Sequence, residues 1–254
     1  MSSVFVDWDD LRAKPTPTGS YSSVFDSAVP TVDRLDVGVR TLDPGASWAP
    51  QAGGPEQIIV VKDGQLEVSI NGAAHPASAK DFVFLGAGED TSITNTGTTA
   101  ATFHSIAFTT ELTGKVAGQS AGGEVMGSSV IRWDQVTPTP QTVLKEGQNV
   151  PWYRERRTFV PATKTLTSPR VFAHATTVDP GSPSSAHGRH RWVVLFIMLE
   201  GTMEFTVEGV VHNSGPGSFF YMAEEAEHTQ IPIGDDVTSY YVIHVSSATT
   251  PLNP

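Results

Sequence analysis

Residues 56–75 read EQIIVVKDGQLEVSINGAAH, and residues 194–212 read VLFIMLEGTMEFTVEGVVH. Each begins as an apolar run, breaks at a glycine (Gly64, Gly201) and resumes as an alternation that stops at a second glycine. In the first, Leu66, Val68 and Ile70 alternate with Glu67 and Ser69 up to Asn71-Gly72. In the second, Met203, Phe205 and Val207 alternate with Glu204, Thr206 and Glu208 before Gly209. A period of two sends alternate side chains to opposite faces of a strand, and a glycine-containing dipeptide closes a hairpin. The two stretches are copies of one strand-turn-strand unit.

The copying extends outward from this unit. Upstream, VGVRTLDPGAS (37–47) answers AHATTVDPGSP (173–183). Further upstream, Ser2-Ser3-Val4 leads to Trp8-Asp9 and Pro15-Thr16-Pro17, as Ser128-Ser129-Val130 leads to Trp133-Asp134 and Pro138-Thr139-Pro140. Downstream, DFVFLGAGEDTSITNTG, GSFFYM (217–222) and TSYYVIHV (238–245) read as further strands. The repeat predicts an all-β chain of two tandem barrels, with helix confined to a turn or two near Asp9–Ala13. The expected division is an N-terminal unit over 1–118, a linker over 119–127 within a Gly/Ser/Ala-rich stretch, and a C-terminal unit over 128–254.

Composition agrees with many short strands. The 254 residues include 23 glycines and 18 prolines, while only 17% are charged. The formal charge is −11, with 7 basic and 15 acidic residues in 1–126 and 9 and 12 in 127–254. No basic stripe is present, so nucleic acid and anionic membrane surfaces are not expected partners. No run approaches the ~20 apolar residues of a membrane helix. The start, MSSVFVDWDDLRAK, is acidic where a secretory signal would be basic and then apolar. There is no cysteine, which removes disulfides, thiol nucleophiles and thiolate metal sites. The expectation is a cytoplasmic protein. Exposed sheet edges in such a fold are commonly covered by a second copy, so a homo-oligomer is expected.

With these motifs in view, each unit resembles a cupin, the double-stranded β-helix or jelly-roll barrel. DPGSPSSAHGRHRWVVLFIMLEG resembles the first cupin motif and GPGSFFYMAEEAEHTQI the second. The layout is also similar to that of the ureidoglycine aminohydrolases, through Gly53-Gly54-Pro55-Glu56-Gln57 up to Gly64 and through Arg157-Thr158-Phe159-Val160-Pro161. That resemblance implies a metal in the C-terminal barrel, with ligand slots at Gly188, His190, Val194 and His228. One of the four matches by identity, so the resemblance carries the architecture and not the ureidoglycine chemistry. In the N-terminal unit the slots fall on Gln51, Gly53, Gln57 and Asp90, none of them histidine, and that barrel is read as a metal-free scaffold.

Six of the eight histidines lie in the second half. A cupin barrel apposes the segments carrying His187, His190 and His228, and these three are the expected ligands of a divalent transition metal (Mn, Fe, Ni or Zn). The three-residue step from His187 to His190 requires a bulge near Gly188. Glu204 is a possible stand-in for the acid missing at Val194. Arg189 and Arg191, with Tyr221 and Trp192, are positioned to receive a carboxylate or other oxyanion. His174, His212 and His244 are read as structural histidines, although His244 could point into the barrel. Two functions remain open: a metal-dependent enzyme for a small polar, carboxylate- or carbonyl-bearing metabolite, and a metal-free barrel that binds a small ligand. Hydrolase, isomerase and dioxygenase chemistry are not separated by these residues.

Overall fold

The computed structural model describes residues 2–29, 32–109, 125–141, 151–163, 165, 170–185, 188–190 and 193–246. Among them the structure is all-β, and helix is limited to two single turns, Trp8–Asp10 and Trp133–Gln135. The first begins one residue before the stretch expected from sequence, where the Asp7 carboxylate accepts the Asp9 N–H at 3.0 Å. Among the described residues no helix is long and apolar enough to cross a membrane. Most of the expected linker, residues 119–124, lies outside the described residues.

Each half contributes one seven-stranded sheet and one smaller sheet. In the N-terminal large sheet the strands Phe82–Leu85, Glu56–Asp63, Ala101–Thr109, Val32–Leu42 and Gly19–Val29 lie side by side. Their counterparts are Phe219–Met222, Val193–Glu200, Thr238–Ser246, Arg170–Val178 and Glu155–Thr163. The smaller sheets hold the hairpins read from sequence. Gln65–Ile70 pairs with Ala73–Ser78, and Thr202–Val207 pairs with Val210–Ser214. Both turns have two residues at positive φ, Asn71 (50°) with Gly72 (83°) and Glu208 (48°) with Gly209 (81°), the backbone of a type I′ hairpin.

The edges of the two large sheets are exchanged. Val4–Val6, from the start of the chain, pairs with Phe219–Met222 in the C-terminal half, Phe5 opposite Phe220. Ser129–Ile131, from the start of the second copy, pairs with Phe82–Leu85 in the N-terminal half, Val130 opposite Val83. Each copy therefore closes the other's sheet edge.

This arrangement explains the apolar runs that open the two quoted stretches. Residues 56–61 and 193–198 are buried without interruption because these strands are covered on both faces. Parity separates the two faces. In the N-terminal half Ile59, Val61, Leu66, Val68 and Phe103 fill the barrel interior. Ile58, Val60, Phe82 and Phe84 point the other way, into a core shared with the C-terminal half. There Tyr241 packs against Phe82 and Phe159, and its hydroxyl donates to the Lys80 carbonyl at 2.7 Å. Tyr221 stacks on Phe25 at 5.1 Å, and the His104 ring bonds the Gly217 carbonyl at 2.9 Å. Burial of each large aromatic side chain stabilises by about 1.5–3 kcal/mol, so this shared core joins the halves strongly.

Candidate functional site

The interior of the C-terminal barrel differs from that of the N-terminal one. Its inward positions leave a cavity of about 170 Å³ lined partly by polar side chains. Strand Arg170–Val178 contributes His174 and Thr176, and Thr238–Ser246 contributes Tyr240, Val242 and His244. His228 opens strand His228–Ile233, and His190 enters from the segment 188–190. Four imidazoles face this one space. The ring centres of His190 and His228 are 5.0 Å apart, those of His190 and His244 5.5 Å, and those of His174 and His244 6.0 Å.

The local backbone sets the pose of His228. Gly188 and His228 form an isolated antiparallel bridge, so the bend expected near Gly188 lies against the strand that carries this histidine. A side chain at 188 would begin 2.8 Å from His228 Cε1 and 2.9 Å from its Nε2, too close for a Cβ. His228 Nδ1 lies 3.2 Å from the Ala226 carbonyl. A carbonyl only accepts, so Nδ1 carries the proton and Nε2 keeps its lone pair.

Burial keeps His174, His190 and His244 uncharged. It pushes His190 down to about 4, with His228 adding to the effect, and His244 down to about 3, helped by His190 and Arg156. His174 is held well below its ordinary value, first by burial and then by Arg156. Neutral imidazole is the form that binds a divalent metal. Behind the histidines, the Gln230 side chain donates to the Tyr240 hydroxyl at 2.8 Å and its backbone N–H donates to the Ser185 hydroxyl at 3.0 Å.

Of the residues singled out from sequence, His190 and His228 are brought together at the cavity. His187, Arg191 and Trp192 lie outside the described residues. Arg189 points to solvent, 61% exposed, and pairs with Glu227 at 2.8 Å. Tyr221 faces the opposite half, where burial raises its hydroxyl to about 12. Glu204 sits between the inward Met203 and Phe205 on the outer side of its strand. The structure thus brings none of Arg189, Tyr221 and Glu204 into the cavity. Val194, the slot for the missing acid, is paired across the sheet with His244.

His174 and His244, read from sequence as structural, face the cavity instead. Arg156, Gln230 and Tyr240 were not anticipated there at all. Tyr240, Val242 and His244 alternate with Tyr241, Ile243 and Val245, and both sets are buried and mostly apolar. With no polar face to contrast against, alternation gives no direction.

The donor type fits a divalent metal: imidazoles, three of them uncharged and a fourth with its tautomer held by a carbonyl. Among the described residues, however, no three His, Asp or Glu side chains are already closed around one point.

Residues 175–244 match the family model of the cupin domain, Cupin_2. A stretch of 77 residues is 34% identical to 5-nitrosalicylic acid 1,2-dioxygenase of Bradyrhizobium sp, covering 30% of this chain and 37% of that protein. The chain therefore spans well under two thirds of that relative. Among solved structures, protein Ylba from E. coli superposes with a TM-score of 0.71 at 13% identity, over 99% of this chain and 93% of that one. The oxalate decarboxylase formate complex of Lactobacillus farciminis gives 0.69 at 13% identity, over 99% and 91%. At such identities the likeness is one of fold, and the fold is that of tandem cupin barrels.

Proposed function

We propose that the C-terminal barrel, whose residues 175–244 match the cupin domain, is the active site of a metal-dependent enzyme acting on a small polar metabolite bearing a carboxylate or carbonyl. The observation that carries this reading is the convergence of four imidazoles on one small cavity, three of them (His174, His190 and His244) kept neutral by burial. His190 and His228 would hold a divalent Mn, Fe, Ni or Zn, with His187 as the third ligand inferred from sequence. Such an ion, when bound, supplies Lewis acidity to a substrate oxygen. The chain itself supplies the rest. Ala226 fixes the tautomer of His228, Gly188 makes room for its ring, and Phe196 and Val242 wall the space with apolar surface. The relative that acts on 5-nitrosalicylic acid and the fold neighbour named as an oxalate decarboxylase are both enzymes of carboxylic acids, which supports the substrate class.

A second reading is a metal-free barrel that binds a small ligand. It is favoured by the absence of a closed three-ligand set among the described residues. Elemental analysis of protein purified without chelator separates the two. About one equivalent of transition metal per chain, lost in His190→Ala and His228→Ala while the fold is kept, is the expected result. Metal-free protein would leave the second reading standing, and variants that retain full metal would show that His190 and His228 do not hold it. We also place the protein in the cytoplasm as a homo-oligomer with no nucleic-acid or membrane partner. Light scattering on the purified chain tests the assembly.

A further inference from the structure

We propose that the C-terminal cavity takes a small hydroxycarboxylate and that Arg156 is the residue that receives its carboxylate. This rests on the reading that the cavity is the substrate site, and it names the ligand and its anchor. Arg156 lies on strand Glu155–Thr163, outside the stretch 175–244 that matches the cupin domain, so nothing in that match assigns it a role.

The chain carries a formal −11, yet among the described residues no aspartate or glutamate lines this cavity. Arg156 is the one permanent cation among the described lining residues. Its neighbours show the contrast. Arg154 is paired with Asp179 at 2.9 Å and Arg157 with Glu155 at 3.2 Å, whereas no carboxylate among the described residues pairs with Arg156. Its Nε is buried and has no hydrogen-bond partner among the described residues. A buried donor on a charged group is costly to leave unmade. A carboxylate in the cavity would satisfy it, and the planar fork of guanidinium matches the two oxygens.

Arg156 is in register with Thr176, next but one to His174, so the strand holds it at the wall of the cavity. Its guanidinium lies over the Tyr153 ring, 5.1 Å from the centre, and Tyr153 is itself packed edge-on against Trp152. The fork is thereby oriented before any ligand arrives. Gln230 Oε1, on the same cavity wall, is buried without a donor among the described residues, and a ligand O–H would meet it. Trp152, Phe196 and Val242 leave apolar surface for the body of the ligand.

Calorimetric titration of the full chain with 2-hydroxybenzoate, benzoate and phenol tests this. Both carboxylates are expected to bind, 2-hydroxybenzoate more tightly, and phenol is not. Arg156→Gln should weaken both carboxylates by about tenfold or more, Arg156→Lys by less, since it keeps charge and loses the fork. Arg154→Gln should change nothing, and Gln230→Leu should erase the advantage of the hydroxyl. Thermal melting checks that each variant is folded; if Arg156→Gln is not, Arg156→Lys carries the comparison. Phenol binding as well as benzoate, no carboxylate binding at millimolar concentration, or unchanged affinity without Arg156 would overturn the proposal. Metal content is read on the same samples. Carboxylate binding that depends on Arg156 in a metal-free protein would defeat the metal-enzyme reading and leave this one intact.

Discussion

Gly188 and His228 face each other across a two-bond bridge, the Gly188 N–H on the His228 carbonyl at 2.9 Å and the His228 N–H on the Gly188 carbonyl at 3.1 Å. The imidazole fills the space a side chain at 188 would take. Gly188→Ala must therefore push the ring aside. We expect a stability loss of about 1–2 kcal/mol, within the ordinary range for point substitutions, and a larger loss of metal retention. Metal content and urea midpoints measure both. A variant with wild-type metal content would show that His228 is not held as described.

His104 gives the expected response to acid. Its ring is buried between the halves, and burial brings it down to about 4 from an ordinary 6.5. As pH falls through 6.5 the unfolded chain takes up a proton on this residue, and the folded chain does not until about 4. Its contribution to stability is complete above 6.5 and is lost on the way down to 4. At about 1.4 kcal/mol per pH unit, the loss is about 3 kcal/mol. Urea midpoints at pH 7 and 4.5 should therefore differ less in His104→Gln than in the parent chain. Equal differences in both would end this account.

The shared core predicts a cost at Phe82, which touches both Phe159 and Tyr241 from the other half. Phe82→Ala removes a fully buried ring and should destabilise by about 3–5 kcal/mol. Tyr241→Phe removes only the bond to Lys80 and should cost about 1–2 kcal/mol. Thermal melts of the two variants give the order, and a reversed order would contradict the packing described.

Arg189 and Glu204 make the opposite forecast. Both were reasonable from sequence, and neither reaches the cavity. Arg189→Gln and Glu204→Gln should keep metal content and carboxylate affinity within about twofold, since surface charges of this kind contribute little. A tenfold loss in either would restore it to the site.

The barrels were legible because duplication repeats a pattern, and a pattern seen twice is not accidental. Asn71-Gly72 and Glu208-Gly209 announced their turns by residue type alone. The cavity was legible only where it coincides with a motif, at His190 and His228. His174 and His244 sit in strands buried on both faces, where a histidine in the cavity and one in the shared core have the same neighbours in sequence. Tyr221, read from sequence as a cavity residue, faces the other half, and its strand hides this for the same reason. Arg156 was hidden differently: three arginines stand at 154, 156 and 157, and only tertiary pairing shows that the middle one has no carboxylate partner among the described residues.

The exchanged edge strands bear on how the chain melts. Val4–Val6 and Ser129–Ile131 each complete a sheet whose other strands come from the opposite copy. Unfolding either copy strips an edge from its neighbour and uncovers the aromatic core between them. The two copies should thus share one calorimetric transition, with a van't Hoff enthalpy equal to the calorimetric one. Severing the chain between the copies should yield fragments that recover structure when mixed and not when kept apart. The duplicated halves have become, thermodynamically, a single cooperative unit.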